Sequence, residues 1–293
     1  MDDREVQAVI ENIKKDFVDF HKDSTNLLSL FVVGSLIDKK YNIKKINDLD
    51  IRGVYENVTP RLLQKIKDFC SDLSSRYSTN DLDISYSLKA GIVKPPVTNK
   101  KRSLLIHFVL FSRADYLRIP RLHAFTFSRF NEYLSGPLKP TELRLIDQIS
   151  LDDVKTEMEG IKHSIEMIEG ASLSFLEYEV QGADCELGFK SMPINDDRMS
   201  LEIVYHSIKW NILDLLYALG QEGSNEDLLS NFLKLKNIDR KFGRLNTGFL
   251  KRLENIYADY RDNNSVNTDL DEIKRDAVIF LESLCEIVED LVR

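Results

Sequence analysis

Asp48 and Asp50 stand one residue apart in the run Asn47-Asp48-Leu49-Asp50-Ile51. Residues i and i+2 of a strand face the same side, so the two carboxylates would share one site while Leu49 and Ile51 turn into a core. Two carboxylates that close repel each other, and a divalent cation between them removes the repulsion. Upstream, the apolar segment Leu30 to Val33 ends in Gly34-Ser35, and the twelve residues 36–47 connect it to Asp48. A glycine lets the backbone approach a phosphate, and a serine hydroxyl can donate to a phosphate oxygen. A strand that stops at Gly-Ser, followed by a strand bearing two carboxylates, suits metal-assisted nucleotide chemistry.

The elements that must position these residues follow from hydrophobic spacing. Val6, Val9, Ile10, Ile13, Phe17 and Phe20 form one helical face over 4–21. Residues 28–33 read as a buried strand, 36–47 as a Lys-rich connection and 48–55 as a second strand. Pro60 opens a helix that Leu62, Leu63, Ile66, Phe69, Cys70 and Leu73 continue. Residues 82–88 alternate, with Leu82, Ile84, Tyr86 and Leu88 on one face and Asp83, Ser85 and Ser87 on the other. Gly91, Pro95, Pro96 and Asn99 mark 90–102 as a loop, and 103–111 is a more fully apolar strand. This order predicts an α+β fold whose first part is a small mixed sheet with helices packed on it.

Gly136-Pro137 and Pro140 then punctuate the chain. Beyond them the signals are almost only helical, at 141–169, 198–219, 226–236, 246–262 and 268–292, with 171–192 open between helix and strand. The expected division is a domain at 1–138 and an all-helical bundle at 139–293.

An apolar strand, Gly34-Ser35, a dozen residues and then Asp48-Leu49-Asp50-Ile51 resemble the signature of the nucleotidyltransferase superfamily, the DNA polymerase β-like fold. The resemblance covers residues 30–88. It implies a third carboxylate from a later strand after an intervening helix, and Asp83 in Leu82-Asp83-Ile84 stands there. Asp81 is the competitor, read as a turn residue after Asn80. Three carboxylates could bind two Mg²⁺, one orienting a nucleoside triphosphate (ATP favoured) and one activating a hydroxyl. Gly34 and Ser35 would hold the phosphates. Many members carry Arg or Lys soon after Gly-Ser, where this chain has Leu36-Ile37-Asp38-Lys39-Lys40. Lys39 or Lys40 can replace that cation, or can belong to a solvated run with Lys44 and Lys45. His107, among apolar neighbours, reads as a satisfied core residue rather than a ligand.

Residues 94–133 interleave Lys100, Lys101, Arg102, Arg113, Arg118, Arg121 and Arg129 with Tyr116, Phe125, Phe127, Phe130 and Tyr133. Such a mixture can hold a triphosphate or single-stranded RNA, although the rings also serve as core between domains. The helix 198–219 is apolar almost all round and should be central to the bundle. Glu202, His206 and Lys209 form one polar stripe on it. The stripe is either its solvent edge or a cleft wall on which Glu202 or His206 accepts a proton from an acceptor hydroxyl. A helical part behind a small catalytic sheet is similar to aminoglycoside-type antibiotic nucleotidyltransferases.

Residues 1–140 hold 23 basic and 17 acidic side chains, and residues 141–293 hold 17 and 31, so net charges of +6 and −14 make up the total of −8. The basic part suits a polyphosphate, and the acidic part suits a cationic partner or simple solubility. Overall acidity disfavours broad nucleic-acid binding. Three well-separated cysteines fit neither a disulfide framework nor a zinc site. With no ~20-residue apolar run and a charged amphipathic N-terminus, a cytoplasmic location is expected. The resulting expectation is a Mg²⁺-dependent transfer of a nucleoside monophosphate to a hydroxyl on a small acceptor, such as an antibiotic. The alternatives are an RNA- or protein-directed, toxin-like transferase and a nucleotide-binding module without turnover. The apolar helix 268–292 could serve a homodimer.

Overall fold

The computed structural model describes residues 1–37, 43, 46–92, 102–146, 148–223, 228–263 and 265–292. In chain order the first elements are α1 (Asp3–His21), β1 (Leu27–Val33), a 3₁₀ turn (Ser35–Ile37), β2 (Ile46–Tyr55), α2 (Pro60–Tyr77), β3 (Leu82–Ser87) and β4 (Arg102–Ser112). Then come α3 (Arg113–Arg118), α4 (Arg121–Arg129), β5 (Glu132–Ser135), α5 (Pro140–Leu143) and α6 (Leu151–Glu169). The chain ends with β6 (Ser172–Gln181), β7 (Asp184–Pro193), α7 (Asp197–Ala218), α8 (Leu228–Ile238), α9 (Thr247–Asn263) and α10 (Leu270–Val292). The mixed sheet with helices expected from the sequence is present. Lys39, Lys40 and most of the 90–102 loop lie outside the described residues.

Packing divides the chain into two compact units, one of residues 1–119, 126–146 and 175–190, the other of 120–125, 147–174 and 191–293. The units interleave along the chain, where the sequence suggested one cut between 138 and 139.

In the first unit, five strands form one sheet in the order β3-β4-β2-β1-β5. β1 pairs antiparallel with β2 and β5, while β2 and β3 both run parallel to β4. β4 is thus flanked on both sides, and its near-continuous apolar run is what a strand covered on both faces needs. One face of the sheet packs on α1 and α2. Helix α1 starts at a capping box, in which the Asp2 carboxylate accepts from Glu5 N at 2.9 Å and Glu5 accepts from Asp2 N at 2.6 Å. It buries Val6, Ile10, Ile13 and Phe17. Helix α2 starts at Thr59, whose hydroxyl accepts from Leu62 N, with Pro60 in the first turn. It buries Leu63, Ile66, Cys70 and Leu73 against Leu49, Ile51, Leu104, Ile106 and Phe108. Each such side chain contributes roughly 1.5–3 kcal/mol by leaving water. On the opposite face Phe31, Val33, Val54, Val109, Phe111 and Tyr116 form a second core, with Phe127 and Ile119 packed on it. Tyr116 and Phe127, read from sequence among basic neighbours, are core residues there.

The second unit is helical around α7, which packs on α6, α8, α9 and α10. As its all-round apolar sequence predicts, α7 buries residues on every side, from Leu201 to Tyr217. The apolar face of α10 that could have served a dimer is buried, through Ile273, Ala277, Phe280, Leu281, Leu284 and Val288. Residues 139–293 are not all helical, which corrects the expectation. β6 and β7 form a two-stranded sheet. Leu173, Phe175 and Tyr178 are its buried positions, and Gly182 takes φ +66° in the turn, a conformation glycine adopts without strain. Among the described residues no helix is long and apolar enough to cross a membrane.

His21 ends α1 inside the first core. Its Nδ1 donates to the Phe17 carbonyl at 2.7 Å, so its Nε2 accepts from the Tyr55 hydroxyl, also at 2.7 Å. Burial pushes its pKa down to about 4, against the opposing pull of the Phe17 carbonyl. The unfolded chain binds this proton near 6.5, so the stability tied to neutral His21 is complete above that pH. It falls by roughly 3 kcal/mol as pH drops towards the folded value. Urea unfolding of wild type and His21→Leu between pH 7 and 4 should show this component of the slope in wild type and lose it in the variant.

Candidate functional site

The carboxylates of β2 are positioned by what lies behind them. Leu49, Ile51 and Tyr55 are completely buried, which fixes the strand's rotation and turns Asp48, Asp50 and Arg52 to the other side. β1 brings the Gly34 turn to the same place, because Val33, its last residue, sits directly opposite Asp50 in the ladder. Gly34 has φ +83°, and a Cβ there would lie 2.6 Å from Asp50 Oδ2. The glycine is required twice, by its left-handed backbone and by the closeness of the carboxylate. Ser35 opens the 3₁₀ turn that follows. The two halves of the sequence signature, twelve residues apart, therefore meet in space.

Asp50 is held by two side chains, His107 and Arg52. His107 of β4 is its register partner, and His107 Nδ1 donates to Asp50 Oδ1 at 2.7 Å. His107 Nε2 donates to the Lys89 carbonyl at 2.7 Å. Arg52 Nη2 lies 3.5 Å from the same Oδ1, and the guanidinium stacks over Phe127 at 5.6 Å. Burial works to raise the Asp50 pKa, as does neighbouring Asp48. The hydrogen bond and charge of His107, with Arg52, outweigh both and hold Asp50 below the usual carboxylate range. Burial likewise pulls Arg52 down, against the attraction of Asp50 and Asp48.

Asp83 lies on the same sheet face but far along it. It pairs with Ser103 of β4, whose partner across the strand is Ile46, whereas Asp48 is level with Leu105 and Asp50 with His107. Two strand spacings and two residue steps put Asp83 about 12 Å from Asp48 between Cα atoms, and about 16 Å from Asp50. Side chains that project in parallel from a sheet cannot share one ion over such spans. Among the described residues no group of three or more His, Cys, Asp or Glu side chains is arranged to hold a metal. The expected trio is thus reduced to a pair. Asp48 and Asp50 supply hard oxygen donors on one face, which fit one Mg²⁺. Asp81, the competing third acid, accepts from the Met1 amine at 3.0 Å.

In the second unit, the polar stripe of α7 is not a solvent edge. Glu202 is fully buried and Lys209 nearly so. Tyr257 of α9 donates its hydroxyl to Glu202 Oε2 at 2.9 Å, and His206 Nε2 lies 3.1 Å from the same oxygen. Tyr257 stacks on Tyr205 with ring centroids 3.6 Å apart, and Lys209 lies over Trp210 at 5.3 Å. The sequence leaves the stripe open between a solvent edge and a cleft wall, because one helix's sequence does not reveal that α9 covers it. Glu202 is engaged by Tyr257 and His206, and of this pair on α7, His206 keeps the accessible surface, 16 % of its side chain.

Sequence reasoning assigned no site role to His107 or Arg52. The available signals were a lone histidine in the apolar run Ser103 to Phe111 and a cation two residues after Asp50. Neither identifies its partner without the β2–β4 register. No protein-family model matches this chain, and no curated protein matches it.

Two substitutions check this geometry. Gly34→Ala should destabilise by about 1–3 kcal/mol in urea unfolding, because a left-handed φ and the Asp50 contact both oppose a Cβ. Gly188→Ala, where a Cβ meets nothing within 4 Å, should be near neutral. Tyr257→Phe removes a donor to a buried carboxylate and should also cost about 1–3 kcal/mol.

Proposed function

We propose that the chain transfers a nucleoside monophosphate from a nucleoside triphosphate to a hydroxyl, using the Asp48–Asp50 face of β2. The observation that carries this reading is the meeting of the Gly34 turn with Asp50 Oδ2 at 2.6 Å from a Cβ position. Backbone free of side chain beside paired carboxylates suits a phosphate chain escorted by a cation. Asp48 and Asp50 would hold one Mg²⁺, which when bound neutralises charge on the phosphates and on departing pyrophosphate. The chain's own residues supply the positioning. The buried reverse face of β2 fixes the direction of both carboxylates. His107 and Arg52 keep Asp50 ionised and immobile, so little reorganisation is needed as charge develops. ATP is the favoured donor, and a small hydroxyl-bearing acceptor, cationic given the acidic second half, is favoured over RNA.

One observation favours a second reading, a nucleotide-binding module without turnover: Asp83 is not gathered with the pair. Incubating the protein with each NTP, Mg²⁺ and candidate acceptors, then measuring pyrophosphate and mass-shifted adducts, separates the two. Transfer predicts pyrophosphate release that Asp48→Asn and Asp50→Asn each lower about 100-fold or more. Tight NTP binding with no release in wild type would leave the binding module as the function.

A further inference from the structure

The hairpin of β6 and β7 presents a strand edge. Among the described residues β6 and β7 form a two-stranded sheet of their own. β6 has a neighbour on its outer side, because Leu176 exchanges two backbone hydrogen bonds with Ala90 at 2.8 and 2.9 Å. The N–H and C=O groups that β7 turns away from β6 lie along the other side. A two-stranded sheet is marginal by itself, and such an edge is a template for a further strand. The side chains along β7 fit that role. Phe189 is 80 % exposed, the highest value for a large hydrophobic side chain among the described residues, and Met192 is exposed too. Leu187, two positions before Phe189 and on the same face of the strand, packs on the cores of the first unit.

The charges of β7 select the strand that can pair there. The strand carries Asp184, Glu186 and Lys190 and ends at Pro193. Charges and proline on an edge repel a chance partner. Lys190 Nζ lies 2.8 Å from Glu179 and 3.2 Å from Glu177, both on β6. An ammonium has three donors, so a carboxylate on the outer side completes its set. A suitable partner needs an acid opposite Lys190 and a base opposite Glu186. Reversed in direction, β7 has that pattern itself.

Opposed residues of an antiparallel pair share a face of the sheet. Two identical strands related by a two-fold axis must therefore pair odd positions with odd and even with even. The longest such overlap of β7 with a second copy runs from Asp184 to Met192, with Gly188 on the axis. It sets Glu186 opposite Lys190 of the second copy and Leu187 opposite its Phe189, each pair occurring twice. Centring the overlap on Glu186 or Lys190 sets like charges opposite each other, which destabilises. Centring it on Leu187 shortens the overlap and moves Phe189 from Leu187 to Cys185. We propose that β7 is a homodimer strand, and that two copies pair antiparallel about Gly188 to join their hairpins into a four-stranded sheet, β6-β7-β7-β6. Charge matching gives the contact its specificity, and burial of Phe189 against Leu187 of the second copy supplies the apolar part.

Sedimentation equilibrium on the full chain should show a monomer–dimer equilibrium. Glu186 is exposed, so the fold should tolerate Glu186→Lys, which should raise the dimer Kd about 10-fold. Lys190→Glu should act the same way. Mixing the two variants should restore the dimer as a heterodimer, because every lysine then faces a glutamate. Ser191→Cys reads the register. Its thiol would lie opposite Cys185 of the second copy, with Cα atoms about 4.5–5.5 Å apart, a span that a disulfide bridges. Positions 185 and 191 of one chain lie about 20 Å apart along the strand. Mild oxidation should thus give a disulfide-linked dimer from Ser191→Cys and not from wild type. A chain that stays monomeric at every concentration overturns the proposal. So does a dimer indifferent to Glu186→Lys, a dimer that Ser191→Cys does not cross-link, or a folded mixture that fails to pair. If Lys190→Glu does not fold, Glu186→Lys and Ser191→Cys decide alone.

Discussion

The parallel pairing of β2 with β4 is the constraint on which the rest depends. Side chains alternate with a period of two, so a slip of one residue would exchange the faces of β2. Leu49, Ile51 and Tyr55 would leave the core under α1 and α2, and Asp48 and Asp50 would enter it. The apolar burial on one face therefore enforces the position of the carboxylates on the other. The same register decides who meets Asp50, because it places His107 and not Leu105 or Val109 at its side.

The electrostatics of the site follow from this packing. Val33, Leu105 and Val109 are buried around the pair, and Asp48 and Asp50 are themselves only part-exposed. In such surroundings an unpartnered carboxylate is costly, and a partnered one is held firmly. Asp50 is the firmly held member, anchored through one oxygen. The second unit shows the same rule in a helical setting. Glu202, removed from water, is matched by the Tyr257 hydroxyl and lies against His206, and stacking of Tyr205 on Tyr257 closes the cluster.

Legibility in the sequence followed the length and strength of each pattern. The order from α1 to β4 could be read because each element carries a clear period and a cap or turn residue, as at Thr59-Pro60. The long helices beyond Pro140 were legible for the same reason. β5 has four residues, too few for a period to emerge. β6 was ambiguous because Leu173 to Val180 alternates imperfectly, and the turn at Gly182 resolved it. The polar stripe of α7 stayed open between a solvent edge and a cleft wall, since amphipathicity identifies a face but not what covers it.

By itself the sequence determined that Asp48 and Asp50 share a face, that Gly34-Ser35 ends the preceding strand and that Asp83 lies on the polar side of its own strand. These are local consequences of side-chain period and of backbone freedom at glycine. Only the tertiary structure decided that Asp83 stands two strands away and out of step, that His107 and Arg52 hold Asp50, and that Glu202 is buried. Strand order and register come from long-range burial, and no residue spacing within a single strand or helix encodes them.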